Sequence, residues 1–255
     1  MSDDSMVEEF DTYATWTADA VDELGDAHAL PAACRGSGSP AVLDWLADRM
    51  GLGRGARLVD SGAGVGGPAQ YVAERLGVRP TLAEPMPGAC RAAARLFGHR
   101  VVVADGAALP FPDASFETAW SLGVLCTVED KVRHLAELAR VVEPGGAVGL
   151  LVFVRTVDRL PEQPDGNSFP DAVELETEVR RAGLDVVARA WAGDLPTAPD
   201  SWDRAVAEVE DVIERDHRGE AGFDTARRQS AQIGGLIADG LVAGRLVVGR
   251  RPGRP

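Results

Sequence analysis

Lysine is almost missing from this 255-residue chain: Lys131 is the only one, and the remaining basic residues are arginine. A Schiff-base mechanism therefore has a single candidate, on a helix predicted to be exposed, and is disfavoured. Cysteine is scarce as well. Cys34, Cys90 and Cys126 are odd in number and make no C-x-x-C pair, which argues against a disulfide framework or a structural zinc site and for reduced, partly buried thiols. No apolar run approaches the roughly 20 residues needed to span a bilayer. The stretch Met1-Ser2-Asp3-Asp4 is acidic, where a secretory signal begins basic and turns apolar, so a cytoplasmic protein without a membrane partner is expected. Positive charge is also in deficit: 26 Lys and Arg stand against 40 Asp and Glu, a net charge of -14. That sign is wrong for a non-specific nucleic-acid binder, which displaces counterions with a basic surface. The chain shows no internal repeat and no low-complexity tract.

What is present is a soluble, globular composition, 45% hydrophobic with a mean hydropathy of -0.07. The length suits one large α/β domain or two small ones. Between residue 57 and about 195, short apolar strands alternate with amphipathic helices, the pattern of a mostly parallel sheet covered on both faces. Strands are predicted at 57–60, 81–84, 101–104, 118–122, 147–154 and 185–191. Helices are predicted at 68–76, 86–97, 130–142 and 171–182. Gly77 and Gly98 close the first two, and Pro144-Gly145-Gly146 is expected to stop the third. In that third helix Val132, Leu135, Ala139 and Val142 are the expected buried stripe. Residues 5–50 read as helices broken near Pro31 and the Gly36-Ser37-Gly38-Ser39-Pro40 turn. Residues 200–240 read as two more, the first with a Trp202, Val206, Val209, Ile213 stripe, and a short strand follows at 245–249.

The segment Leu58-Val59-Asp60-Ser61-Gly62-Ala63-Gly64-Val65-Gly66-Gly67-Pro68 carries the most chemical information. It reads as a buried strand, a glycine-rich turn and a helix start, so the backbone can approach a ligand closely. Asp60 adds an acceptor-only carboxylate at the strand's end. Gly62-x-Gly64-x-x-Gly67 formally fits a dinucleotide fingerprint, with Glu84 near the distance of a ribose carboxylate. Against a dinucleotide oxidoreductase stand the strand-terminal acid Asp60, the long helical leader and the lack of room for a separate substrate domain.

In sequence order, Val59–Gly66, Glu84 after the second strand, Asp105-Gly106-Ala107-Ala108-Leu109-Pro110-Phe111, Phe116–Leu125 and Glu143-Pro144-Gly145-Gly146 resemble the class I S-adenosylmethionine-dependent methyltransferases. The resemblance covers residues 57–154, and the Gly66-Gly67-Pro68 ending is similar to the branch acting on small molecules. It implies a doubly wound, seven-stranded, mostly parallel Rossmann-like sheet in one domain over 1–255. The leader at 5–50 and the helical insertion at 200–240, before the last strand, would form a lid. The implied cofactor is S-adenosylmethionine, with S-adenosylhomocysteine as product. Asp60, Gly62 and Gly64 would hold its amino-acid end, Glu84 its ribose hydroxyls, and Asp105 with Met86, Ala107 and Leu122 its adenine, with Pro85 and Gly106 also expected at the cofactor. The resemblance also implies that a residue from the leader closes over the cofactor's carboxylate; Arg35 has the forked guanidinium for that task, with a plain surface arginine as the competing reading.

Methyl transfer from a sulfonium is an in-line displacement that depends on proximity and alignment, with a base needed chiefly for a hydroxyl acceptor. Relatives often carry Val-Leu-His-His after the fourth strand. Here the run is Val124-Leu125-Cys126-Thr127, so a histidine base at that position is absent. Tyr13, His28 and His217 are the remaining candidate bases, each with an ordinary packed or solvated role as the competing reading, and His99 and His134 read as surface residues. Tyr13, Trp16, Cys126 and Phe169 are candidates for an acceptor pocket, Phe153 more for the core. There is no Asn-Pro-Pro-Tyr-like run of the amino-directed DNA enzymes and no acid cluster of the catechol type for a metal. A small organic acceptor is the expectation; a cofactor-binding protein on the same fold that does not methylate is the alternative.

Overall fold

The computed structural model describes residues 2–162 and 164–253, with side chains described from Phe10 onward. Seven strands form one sheet: β1 (Arg57–Ser61), β2 (Arg79–Glu84), β3 (Val101–Val103), β4 (Phe116–Leu122), β5 (Val142–Arg155), β6 (Asp185–Trp191) and β7 (Val242–Arg250). Their order is β3-β2-β1-β4-β5-β7-β6. The first five pair in parallel, while β7 runs antiparallel to both β5 and β6. Around them lie α1 (Ser2–Leu24), α2 (Ala29–Ala33), α3 (Pro40–Met50), α4 (Gly67–Leu76), α5 (Pro87–Phe97), α6 (Lys131–Val141), α7 (Ala172–Arg181), α8 (Asp200–His217) and α9 (Ala221–Ala238).

The two-residue period of the strands sends alternate side chains to opposite faces of the sheet. Leu58, Trp120, Leu122 and Leu151 pack with Val42, Leu43 and Leu46 of α3 and Val72 of α4. Val59, Ala119, Val148 and Leu150 pack with Leu135 and Leu138 of α6 and Leu175 and Val179 of α7. Each fully buried Leu or Val contributes about 1.5–3 kcal/mol, so these two layers dominate the stability. Local signals agree with the topology. Asp130 caps α6 by accepting from the Arg133 amide, and Asp171 with Glu174 forms a capping box at α7.

A separate helical layer is built from α1, α2, α8 and α9, where Tyr13, Trp16, Val21, Val209, Ile213 and Phe223 share one buried cluster. The other side of α1 lies on α5 through small residues, Ala14 and Ala18 against Ala89 and Ala92. Arg95 of α5 pairs with Asp19 and Asp22 of α1.

Four expectations need correction. Pro144, Gly145 and Gly146 do not separate α6 from the next strand: Val142 already has extended geometry and begins β5, so these residues occupy its irregular first part, where the β4–β5 register shifts. The buried face of α6 is Lys131, His134, Leu135, Leu138, Ala139 and Val141, and Val132 is only partly covered. Lys131 is therefore buried rather than exposed, its ammonium donating to the Val128 carbonyl at 2.8 Å. His134, read as a surface residue, is 2% exposed because it too has an internal partner, described below.

Candidate functional site

The glycine turn follows β1 at the C-terminal edge of the parallel strands, where open α/β sheets place their ligands. Gly62 has φ 74°, and an added Cβ would strike Val124. At Gly67 the reason is close approach: a Cβ there would lie 2.6 Å from both the Ala33 oxygen and the Cys34 nitrogen. The turn that begins at Cys34 thus rests directly on the start of α4. By contrast, a Cβ at Gly64 would meet nothing within 4 Å, so this part of the turn faces open space.

Two buried carboxylates flank the turn. Glu84, at the end of β2, accepts from the Gly64 amide at 2.8 Å through Oε2 and from the Met86 amide at 3.0 Å through Oε1. Burial pushes its pKa up, while those two N–H groups pull it back. Asp60 is 2% exposed, and its Oδ2 is buried without a hydrogen-bond partner. Burial pushes its pKa up to about 7; the Trp120 indole opposes the rise and the charge of Glu84 adds to it. A carboxylate oxygen enclosed without a donor is costly for a protein standing alone and suited to one awaiting a cationic ligand.

The other residues expected at the cofactor gather on the same edge. Pro85 is exposed and Met86 half-buried at the start of α5. Asp105 is exposed after β3, with its Oδ1 accepting from the Ala107 amide at 2.8 Å. Gly106 is buried, and Leu122 closes β4 at 3% exposure. Arg35 departs from its expected task. Its Nε pairs with Glu210 at 2.8 Å, its Nη2 donates to the Ser230 hydroxyl at 2.8 Å, and its guanidinium stacks 4.5 Å from the centre of the Tyr13 ring. It is thus committed to a cavity of about 400 Å3 between α1, α8 and α9, lined also by Tyr13, Phe223 and Arg227.

The candidate bases are engaged elsewhere. The Tyr13 hydroxyl donates to Glu210, and burial raises its pKa. His28 Nε2 lies 2.6 Å from Glu208, and His217 Nδ1 lies 2.9 Å from Glu220. Trp16, expected to line an acceptor pocket, is instead stacked on His217 with ring centres 4.1 Å apart, inside the helical layer. Cys126 and Phe169 do come together, in a small cluster with Leu236 and Val242. Burial pushes the Cys126 thiol up to about 11, so it stays neutral at physiological pH.

Several participants carry no local signal in the sequence. Asp11 of α1 accepts from the Gly88 and Ala89 amides, capping α5 from a position 77 residues away. Ser61, Ser121 and His134 form a buried polar group behind the turn. His134 was detectable by helical phase, since it shares its face with Lys131, Leu135 and Leu138.

Residues 59–150 match a family model described as a methyltransferase domain. The chain is 35% identical over 155 residues to the 27-O-demethylrifamycin SV methyltransferase of Amycolatopsis mediterranei, covering 58% of this chain and 53% of that protein. It is 35% identical over 109 residues to the 2-methyl-6-phytyl-1,4-hydroquinone methyltransferase of a Synechocystis species, covering 41% of this chain and 34% of that one. The chain thus spans about half the length of the first relative and a third of the second. Among solved structures, the 4+2 cyclase SpnF aligns with a TM-score of 0.67 at 24% identity, over 84% of this chain and 80% of that one. The cyclopropane synthase MmaA2 from Mycobacterium tuberculosis aligns at 0.65 and 14%, over 82% of each chain. At these identities the structural neighbours speak to the fold. The methyltransferase-domain match lies within the sheet that these neighbours share, from β1 into β5.

Proposed function

We propose that this protein transfers a methyl group from S-adenosylmethionine to a small organic acceptor. The observation that carries the reading is the buried carboxylate pair at the glycine turn, above all the enclosed Asp60 Oδ2, which makes no hydrogen bond, with the Trp120 indole beside the carboxyl likewise unpaired. When bound, S-adenosylmethionine supplies an electrophilic methyl group on a sulfonium. The chain's residues do the rest. Asp60 accepts from the ligand's ammonium, and the open flank of Gly64 leaves room for its amino-acid end. Glu84, held in place by the Gly64 and Met86 amides, offers its remaining lone pairs to the ribose hydroxyls. Asp105, Ala107, Met86 and Leu122 surround the adenine.

On the acceptor side, α1, α8 and α9 form the cover, and Cys126 and Phe169 pack against Leu236 of α9. Tyr13, His28 and His217 make their pairs with carboxylates of α8 and of the α9 N-terminus, away from the glycine turn, and Cys126 is neutral, which supports a transfer driven by alignment and exclusion of water. The acceptors in the relatives' names, a rifamycin and a phytyl hydroquinone, support a bulky specialised metabolite as the acceptor class.

Calorimetric titration of the purified protein with S-adenosylmethionine, S-adenosylhomocysteine and NAD tests the reading. Binding of the first two is expected; binding of NAD alone overturns it. Methyl-labelled donor with a metabolite panel then tests transfer. Donor binding with no S-adenosylhomocysteine formed from any acceptor would place the chain among fold members that do not methylate.

A further inference from the structure

Ser61 and Ser121 are adjacent on β1 and β4 and lie on the sheet face covered by α6. The Ser121 hydroxyl donates to the Ser61 carbonyl at 2.9 Å, and its oxygen lies 3.2 Å from His134 Nε2. A serine hydroxyl has one proton. Since that proton goes to Ser61, the second contact requires a proton on His134 Nε2. The imidazole is then neutral with Nδ1 bare, and burial, which pushes its pKa down to about 4, keeps it so.

The other edge of the ring is pressed against the loop after β3. A Cβ added to Gly106 would lie 2.5 Å from His134 Nδ1 and 2.8 Å from the Ser61 hydroxyl oxygen. One imidazole therefore touches or bridges three segments at once. In each segment the residue it reaches is the immediate chain neighbour of one assigned above to the cofactor: Ser61 follows Asp60, Gly106 follows Asp105, and Ser121 precedes Leu122.

We infer that His134 is a positioning residue for the methyl donor: through Ser121, Ser61 and Gly106 its neutral ring sets the spacing of Asp60, Asp105 and Leu122. The inference rests on the function proposed above. An apolar side chain of similar size would fill the space yet leave the Ser121 oxygen without its donor and the three segments without a common tie. A carboxamide restores the donor. Such support of a binding group by a buried hydrogen bond is worth about tenfold in affinity.

The test is calorimetric binding of S-adenosylhomocysteine and of adenosine to wild type, His134→Leu and His134→Gln, with melting temperatures recorded in parallel. His134→Leu is expected to bind both ligands about tenfold more weakly and His134→Gln within about threefold of wild type. The Gly106→Ala substitution, which crowds the ring, should weaken binding in wild type and do so less in a His134→Ala background. Nitrogen-15 spectra should show the neutral tautomer protonated at Nε2. Equal affinities for wild type and a folded His134→Leu overturn the inference, and so does an Nδ1-protonated or charged ring. Should His134→Leu fail to fold, the tautomer and the Gly106→Ala comparison decide. Wild type binding neither ligand would refute the proposed function itself, a distinct result.

Discussion

Replacing Asp60 with asparagine should make the protein more stable at alkaline pH, although it removes a residue proposed to be essential for ligand binding. In the unliganded protein the carboxyl is enclosed, and burial moves its pKa from 3.8 to about 7. A folded-state pKa above the unfolded value means that the folded protein holds the proton more tightly. The wild type therefore loses stability as pH rises from about 4 through about 7, and the full ionisation penalty, about 4 kcal/mol, is in force above that. Asparagine has nearly the shape of the protonated acid and does not titrate. Urea unfolding of both proteins at matched ionic strength isolates the effect, since all other groups cancel in the difference. The advantage of Asp60→Asn is expected to grow by about 3 kcal/mol between about pH 5 and about pH 8. Saturating S-adenosylhomocysteine, whose ammonium is proposed to partner Oδ2, should stabilise wild type more than the variant. Parallel stability curves for the two unliganded proteins would refute the account of Asp60 as a buried acid whose ionisation burial opposes.

Glu84→Gln turns an acceptor oxygen into an NH2 group facing the Gly64 or Met86 amide, and donor affinity should fall at least about tenfold by calorimetry. Gly67→Ala drives a Cβ into the backbone at Ala33 and Cys34, which cannot rotate away, so urea unfolding should show a loss of about 1–3 kcal/mol. Gly64→Ala meets open space but has φ 52°, so a smaller loss of about 1 kcal/mol should accompany a clear loss of donor affinity. Asp11→Ala removes the cap on α5 and should destabilise by about 1 kcal/mol, with faster hydrogen exchange at Gly88 and Ala89.

The strands and helices of the sheet were legible because each signal is local. Residues 185–191 were predicted as a strand to the residue, and Gly77 and Gly98 do close their helices in the left-handed region. The junction of α6 and β5 was misread because proline and glycine were taken as separators, whereas the backbone turns extended before them, at Val142. The glycine turn with Asp60 and Glu84 was readable since a strand end, a turn and an acid lie close in sequence. Arg35 was not, because its partners Glu210 and Ser230 lie far along the chain. Lys131 and His134 escaped for another reason. Polarity was weighed above helical phase, and it was phase that placed them inside.

The placement of β7 bears on how the molecule is made. It is the latest strand in sequence, yet it sits between β5 and β6 and supplies the pairing partner of each. During synthesis β5 emerges nearly ninety residues before that partner, so one flank of an apolar strand must wait. The two helices that complete the cover, α8 and α9, are translated within that interval. A ribosome-bound chain can thus form β1–β4 and the glycine turn early, while the covered site depends on residues 242–250 arriving to zip the sheet.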